Sequence, residues 1–148
     1  MTRASAREIA VIALYSQSLN HYSPEELLDS WLDVSYYDLL SREDPLFETP
    51  PGDDAAAFIR RLVSGVAESL PELDSRIESL SVGWELNRMP RTALAVLRAA
   101  FYEILHMPDV PPAAAINSHL NILKRYDTPE VVAFVNGILG SLMRADQE

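Results

Sequence analysis

The chain has 148 residues, 48% of them hydrophobic and none of them cysteine. That is enough for one well-buried domain and too short for most two-domain enzymes; disulfides, thiolate nucleophiles, zinc ribbons and Cys-ligated iron–sulfur clusters are excluded. A formal charge of -10, from 22 acids against 12 bases, argues against a generic nucleic-acid binder, which needs a basic face.

Helical spacing runs almost throughout, and no alternating Val, Ile or Thr run bounded by Asn-Gly or Asp-Gly reads as a strand. A first helix is predicted from about Thr2 to Asn20-His21, carrying Ile9, Ile12, Ala13 and Tyr15, with Arg3 and Arg7 four apart on its polar side. Ser23-Pro24-Glu25-Glu26 spells a second start: a capping Ser, Pro at the first helical position, and Glu reaching back. Leu27, Leu28, Trp31 and Leu32 form its stripe. Residues 42–54 hold three prolines, a glycine and many acids, so a long loop is expected there. A helix with Phe58, Ile59, Leu62, Val63, Val66 and Leu70 follows, and Pro71 opens another with Leu73, Ile77 and Leu80. Asn87-Arg88-Met89-Pro90 breaks the pattern. The strongest helix is predicted from Arg91 to about His106, burying Leu94, Leu97, Phe101, Ile104 and Leu105. Three prolines within residues 108–112 make a connector. The next helix carries Ile116, Leu120 and Leu123 to about Tyr126-Asp127. Thr128-Pro129 starts a last one with Val131, Phe134, Val135, Ile138, Leu139 and Leu142 on a broad face. The expectation is an all-α compact bundle of about seven helices, one domain over residues 1–148 in two sub-bundles, about 1–86 and 87–148.

The charge is unevenly spread. Residues 21–59 hold ten acids and one base, whereas residues 1–20 sum to +1 and residues 60–148 to -2. Eleven of the twelve cations are Arg, which suits stacking and bidentate phosphate or carboxylate contacts, although genomic base composition explains the bias equally well. His21, His106 and His119 lack the spacing of paired metal ligands, so neither a metal nor a cofactor is expected. His106 suits the end of a helix as a cation facing the macrodipole. There is no phosphate-cradling glycine motif and no G-x-S-x-G elbow, and no catalytic residue is identified. The N-terminus has no continuous apolar run and no stretch is long and apolar enough to span a bilayer, so a cytoplasmic location without a membrane is expected.

Leu86 to Leu105 (LNRMPRTALAVLRAAFYEIL), then Asp109-Val110-Pro111, Ala115-Ile116-Asn117, Lys124-Arg125-Tyr126 and Phe134-Val135-Asn136-Gly137-Ile138-Leu139, resemble in order and spacing the C-terminal half of the NusB transcription antitermination family. Ala6-Arg7-Glu8 leading into Ala13-Leu14-Tyr15 is similar to the family's first helix. The resemblance implies an all-helical fold and no enzyme activity. It also implies binding, together with the small-subunit ribosomal protein NusE, to the single-stranded boxA element of nascent ribosomal RNA. The pair then joins other Nus factors on RNA polymerase and suppresses termination. Carried over residue by residue, it makes Arg3 and Arg7 the basic face, Tyr15 an aromatic on the same helix, and Glu130 and Phe134 positions near the RNA surface. Guanidinium groups neutralise phosphates and stack on unpaired bases, and aromatic rings hold splayed bases.

Tyr15 and Phe134 equally suit a core role, since both sit among apolar neighbours at helical spacing. Arg88, Arg91 and Arg98 suit further phosphate contacts on this reading, while Arg91 and Arg98, seven apart on one face, equally suit pairing with Glu103 or Glu85. Asn117 and Asn136, unfavourable in mid-helix, are expected to satisfy buried backbone or loop groups. The sequence departs from the family in its basic N-terminus, reduced to Arg3 and Arg7, and in Ser118-His119 where Glu-Ala is usual. Weak RNA binding by the protein alone is expected, because each missing phosphate contact lowers affinity and flattens its salt dependence by about 0.7 in log-log slope. The alternative is a protein-interaction module of the same fold with little RNA affinity of its own. A homodimer stays open. The fold also serves as a targeting module in certain ribosomal RNA cytosine methyltransferases, but no glycine-rich strand for a methyl donor occurs here.

Overall fold

The computed structural model describes residues 1–20, Ser23, Glu26, Leu28, Asp29 and residues 51–146. Among these residues the regular structure is entirely helical: α1 (Arg3–Asn20), α2 (Asp53–Glu68), α3 (Leu70–Leu80), a 3-10 turn (Leu86–Arg88), α4 (Arg91–His106), α5 (Pro112–Tyr126) and α6 (Pro129–Asp146). The chain divides into two compact units, Met1–Gly65 and Val66–Glu148.

The local signals that start these helices act as their chemistry requires. Thr2 caps α1, its hydroxyl accepting the Ser5 N–H at 3.1 Å. Ser23 does the same for Glu26 at 3.1 Å, as its position before Pro24 predicts. Thr128 Oγ1 accepts the Val131 N–H at 3.3 Å at the start of α6. Helix α2 begins at Asp53, inside the segment expected to be loop, because Asp53 and Asp54 favour the positive end of the helix dipole and Gly52 supplies the first carbonyl, to Ala56 N–H. Leu27, Trp31, Leu32 and the expected loop residues 42–50 lie outside the described residues.

In the first unit α2 buries Phe58, Ile59, Leu62 and Val63, the stripe that the spacing predicts, whereas α1 buries Ala6, Ile9, Ala10 and Ala13 and leaves the expected Ile12 and Tyr15 half-buried. In the second unit α4 packs against α3, α5 and α6. It is therefore buried nearly all round: Ala93, Ala95, Val96, Leu97, Ala99, Ala100 and Phe101 are inside, while Leu94, Ile104 and Leu105 are only half-buried. The small alanines let three neighbours approach one helix, a role that a scan for large apolar residues passes over. A related shift occurs on α5, whose buried face is Ala115, His119, Ile122 and Leu123 rather than Ile116, Leu120 and Leu123. On α6 the inward stripe is Val135, Ile138, Leu139 and Leu142, with Val131 and Phe134 at its margin. No described helix is long and apolar enough to cross a membrane.

Candidate nucleic-acid interface

Within the first unit, Arg3 and Arg7 occupy successive turns of α1 and meet one aromatic ring. The exposed Arg3 guanidinium lies 4.1 Å from the centroid of Phe58 on α2, and that of Arg7 lies 5.6 Å from it. Phe58 is buried, so its ring supports both cations from beneath, an arrangement that cation–π attraction favours. The two arginines differ in access. Arg7 is only 5% exposed and has its own partners, whereas Arg3 faces solvent. Arg3 is thus the accessible cation of the two, and Arg7 is buried. Tyr15, two turns further on, is half-buried. Sequence spacing placed Phe58 in an apolar stripe, and nothing in that stripe indicates the two arginines that sit on it.

Within the second unit, Glu130 is exposed on the first turn of α6 and Phe134 lies one turn later. The Phe134 ring packs against Trp84, with centroids 5.0 Å apart and planes inclined by 34°. Trp84 stands in the connection between α3 and the 3-10 turn, a place where apolar periodicity has nothing to say, and sequence reasoning passed over it. Arg88 is exposed and lies 3.8 Å from Glu85, a loose contact that leaves its charge largely solvated. Arg91 opens α4 and is exposed.

Several expected pairings resolve differently. Arg98 binds Asp74 of α3 in a two-pronged pair, Nε to Oδ1 at 2.8 Å and Nη2 to Oδ2 at 2.9 Å, rather than Glu85 or Glu103. Asp74 is the neighbour because α3 packs on α4. Glu103 is fully buried and hydrogen-bonded to the equally buried His119 of α5, so His119 serves the core of this unit. His106 closes α4 as expected and also meets Glu72 at 3.0 Å. Asn117 and Asn136 are exposed, contrary to the expectation of buried structural amides, because the inward stripes of α5 and α6 pass to either side of them. Asn136 instead borders a groove of about 460 Å³ with Leu120, Lys124, Asp127, Pro129, Val132 and Ala133. Asp127, one of its lining residues, accepts the Thr92 hydroxyl at 2.6 Å and the Thr128 N–H at 2.9 Å.

These groups offer solvent-facing guanidinium groups and aromatic rings, which bind phosphate and stack on bases. No cluster of metal-ligating side chains occurs among the described residues.

The chain matches the family model described as NusB family over residues 4–144. It is 34% identical over 144 residues to the transcription antitermination protein NusB of Acetivibrio thermocellus, covering 97% of this chain and 90% of that protein. Among solved structures it is similar to T. maritima NusB, with a TM-score of 0.81, 29% identity, and coverage of 97% of this chain and 92% of that one. A complex of antitermination factors NusB and NusE with double-stranded RNA contains a chain of the same fold, with a TM-score of 0.77, 22% identity, and coverage of 97% and 96%.

Proposed function

The chain belongs to the NusB family, and we propose that it is a non-enzymatic, cytoplasmic RNA-binding antitermination factor that works with NusE. On this reading it binds the single-stranded boxA element of nascent ribosomal RNA as a heterodimer with NusE. The pair joins other Nus factors on RNA polymerase. Arg3, Arg7, Tyr15, Glu130 and Phe134 form or border the RNA surface, and Arg88 and Arg91 add phosphate contacts.

The observation that carries this reading is the stacking of Arg3 and Arg7 on Phe58. An exposed guanidinium held over an aromatic ring keeps its donors oriented toward solvent, so less side-chain freedom is lost when a phosphate arrives. The buried Arg7 orients this end of α1 and contributes field rather than direct contact. With one fully presented cation here and a total charge of -10, affinity depends on NusE to complete the surface.

The test is fluorescence anisotropy of labelled boxA-type RNA titrated with the protein alone and with equimolar NusE, at two salt concentrations, against scrambled and double-stranded RNA. Sequence-selective binding that tightens with NusE and weakens on Arg3→Glu is the expected result. Absence of selective binding in every arm refutes the reading and leaves a protein-interaction module on this fold. Sedimentation of the protein alone decides whether a homodimer covers the surface.

A further inference from the structure

We propose that Trp84, braced by Phe134, is a base-stacking residue that takes one unpaired nucleobase of the bound RNA. The inference rests on the RNA-binding reading above and adds a contact to it of a different kind, since stacking requires no charge.

Trp84 is 40% exposed even though Phe134 covers part of it, with ring centroids 5.0 Å apart. Among the described residues, Val82, Trp84 and Tyr126 are the strongly exposed large apolar side chains, and two of these three lie in one turn. That turn is built to hold its shape. Ser81 Oγ donates a hydrogen bond to the Trp84 carbonyl at 2.6 Å, and Gly83 takes a φ of 88°, which lets the chain reverse between Val82 and Trp84. A tryptophan left in water by a floppy loop would be an accident of sequence. Here a hydroxyl, a left-handed glycine and a second aromatic from α6 all constrain the residue that solvent reaches.

The size and surroundings of the patch favour a base over a protein. A stable protein interface covers roughly 800 Å² per partner around an apolar centre, whereas here the exposed apolar surface of the turn is Val82 and Trp84, and the chain that follows presents the exposed polar residues Glu85, Asn87 and Arg88. One ring face is enough for one base, and the inclined Trp84–Phe134 pair makes a rigid shelf for it. Arg88, four residues on in the same connection, is an exposed cation, the kind of group that binds phosphate.

Titration of boxA-type RNA with NusE present is the test, using Trp84→Ala and Trp84→Phe beside Arg3→Glu. Stacking on aromatic rings predicts that Trp84→Ala weakens binding by about 5- to 150-fold with an unchanged salt slope, and that Trp84→Phe restores most of it. Arg3→Glu, in contrast, flattens the slope. Abasic substitution along the RNA locates the partner: at one position the loss is large for the wild type and absent for Trp84→Ala. In a Trp31→Phe background Trp84 is the sole tryptophan, and its fluorescence is quenched as the RNA is added to the protein alone. Arg3-dependent binding that ignores Trp84→Ala, with no quenching, overturns the inference and leaves the RNA-binding reading in place. Loss of NusE capture with unchanged RNA affinity also overturns it and makes the turn a protein contact. Absence of RNA binding in every variant and in the wild type overturns both. Matching thermal melts for Trp84→Phe and wild type establish that the fold is retained.

Discussion

Replacing His119 by leucine is expected to destabilise the protein by about 3–5 kcal/mol, the usual cost of stripping one partner from a buried ion-pair-like contact. His119 and Glu103 both have no exposed side-chain surface, and they join α5 to α4, the helix on which the second unit is assembled. Without the imidazole, the Glu103 carboxyl is left in a site that water does not reach. Leucine approximates the lost volume, so the polar term dominates over a cavity term. Glu103→Gln keeps both shape and a hydrogen bond to the ring, and its cost falls to about 1–2 kcal/mol. The pair also carries an internal penalty, since His119 Nδ1 has no hydrogen-bond partner in the described structure. Removing both polar groups, as in Glu103→Met with His119→Leu, therefore costs clearly less than His119→Leu alone, with a coupling of at least about 2 kcal/mol. At about 2–4 °C per kcal/mol for a chain of this size, the His119 single variant melts roughly 6–20 °C lower. Thermal and urea unfolding followed by circular dichroism read five proteins: the wild type, His119→Leu, Glu103→Met, the double variant and Glu103→Gln. A shift below about 3 °C for His119→Leu, or costs that simply add in the double variant, refutes the argument that this pair is a mutually dependent buried contact.

Phe58→Leu keeps an apolar side chain beneath Arg3 but removes the ring, and it should lower RNA affinity by about 0.5–1 kcal/mol, with Phe58→Tyr close to wild type. Equal affinities for the leucine and tyrosine variants in the anisotropy assay would show that the ring does not orient the arginine. Gly83→Ala meets no steric neighbour, since nothing lies within 4 Å of the added Cβ, so its whole cost is the left-handed backbone, about 1–2 kcal/mol of stability. A denaturant midpoint unchanged by Gly83→Ala would show that the turn relaxes freely.

The helices were legible because each carries its own punctuation. Thr2 and Thr128-Pro129 cap two starts, Ser23 accepts the Glu26 N–H, and Pro108, Pro111 and Pro112 bracket the connector before α5. Such signals act within four residues and survive without tertiary context. The candidate interface was legible only in part. Arg3, Arg7, Glu130 and Phe134 follow from the resemblance, yet the partners that give them form, Phe58 and Trp84, lie far from them along the chain. Apolar spacing marks Phe58 as core, and it marks Trp84 as nothing at all.

The sequence by itself determined the all-helical class, the places where helices begin and break, and membership of a family through ordered motifs in its C-terminal half. The spacing marked the buried stripe of α2 and most of that of α6, but on α1, α4 and α5 the buried face was decided by the tertiary structure. Alanines rather than leucines line much of α4, because three helices close on it and small side chains admit them. The same packing turns His119 inward to Glu103, brings Asp74 to Arg98, leaves Asn136 in solvent, and submerges Arg7 while Arg3 stays outside. Local sequence specifies what a helix can present on each side, and burial is a property of what packs against it, so the choice between sides exists only once the neighbours are in place.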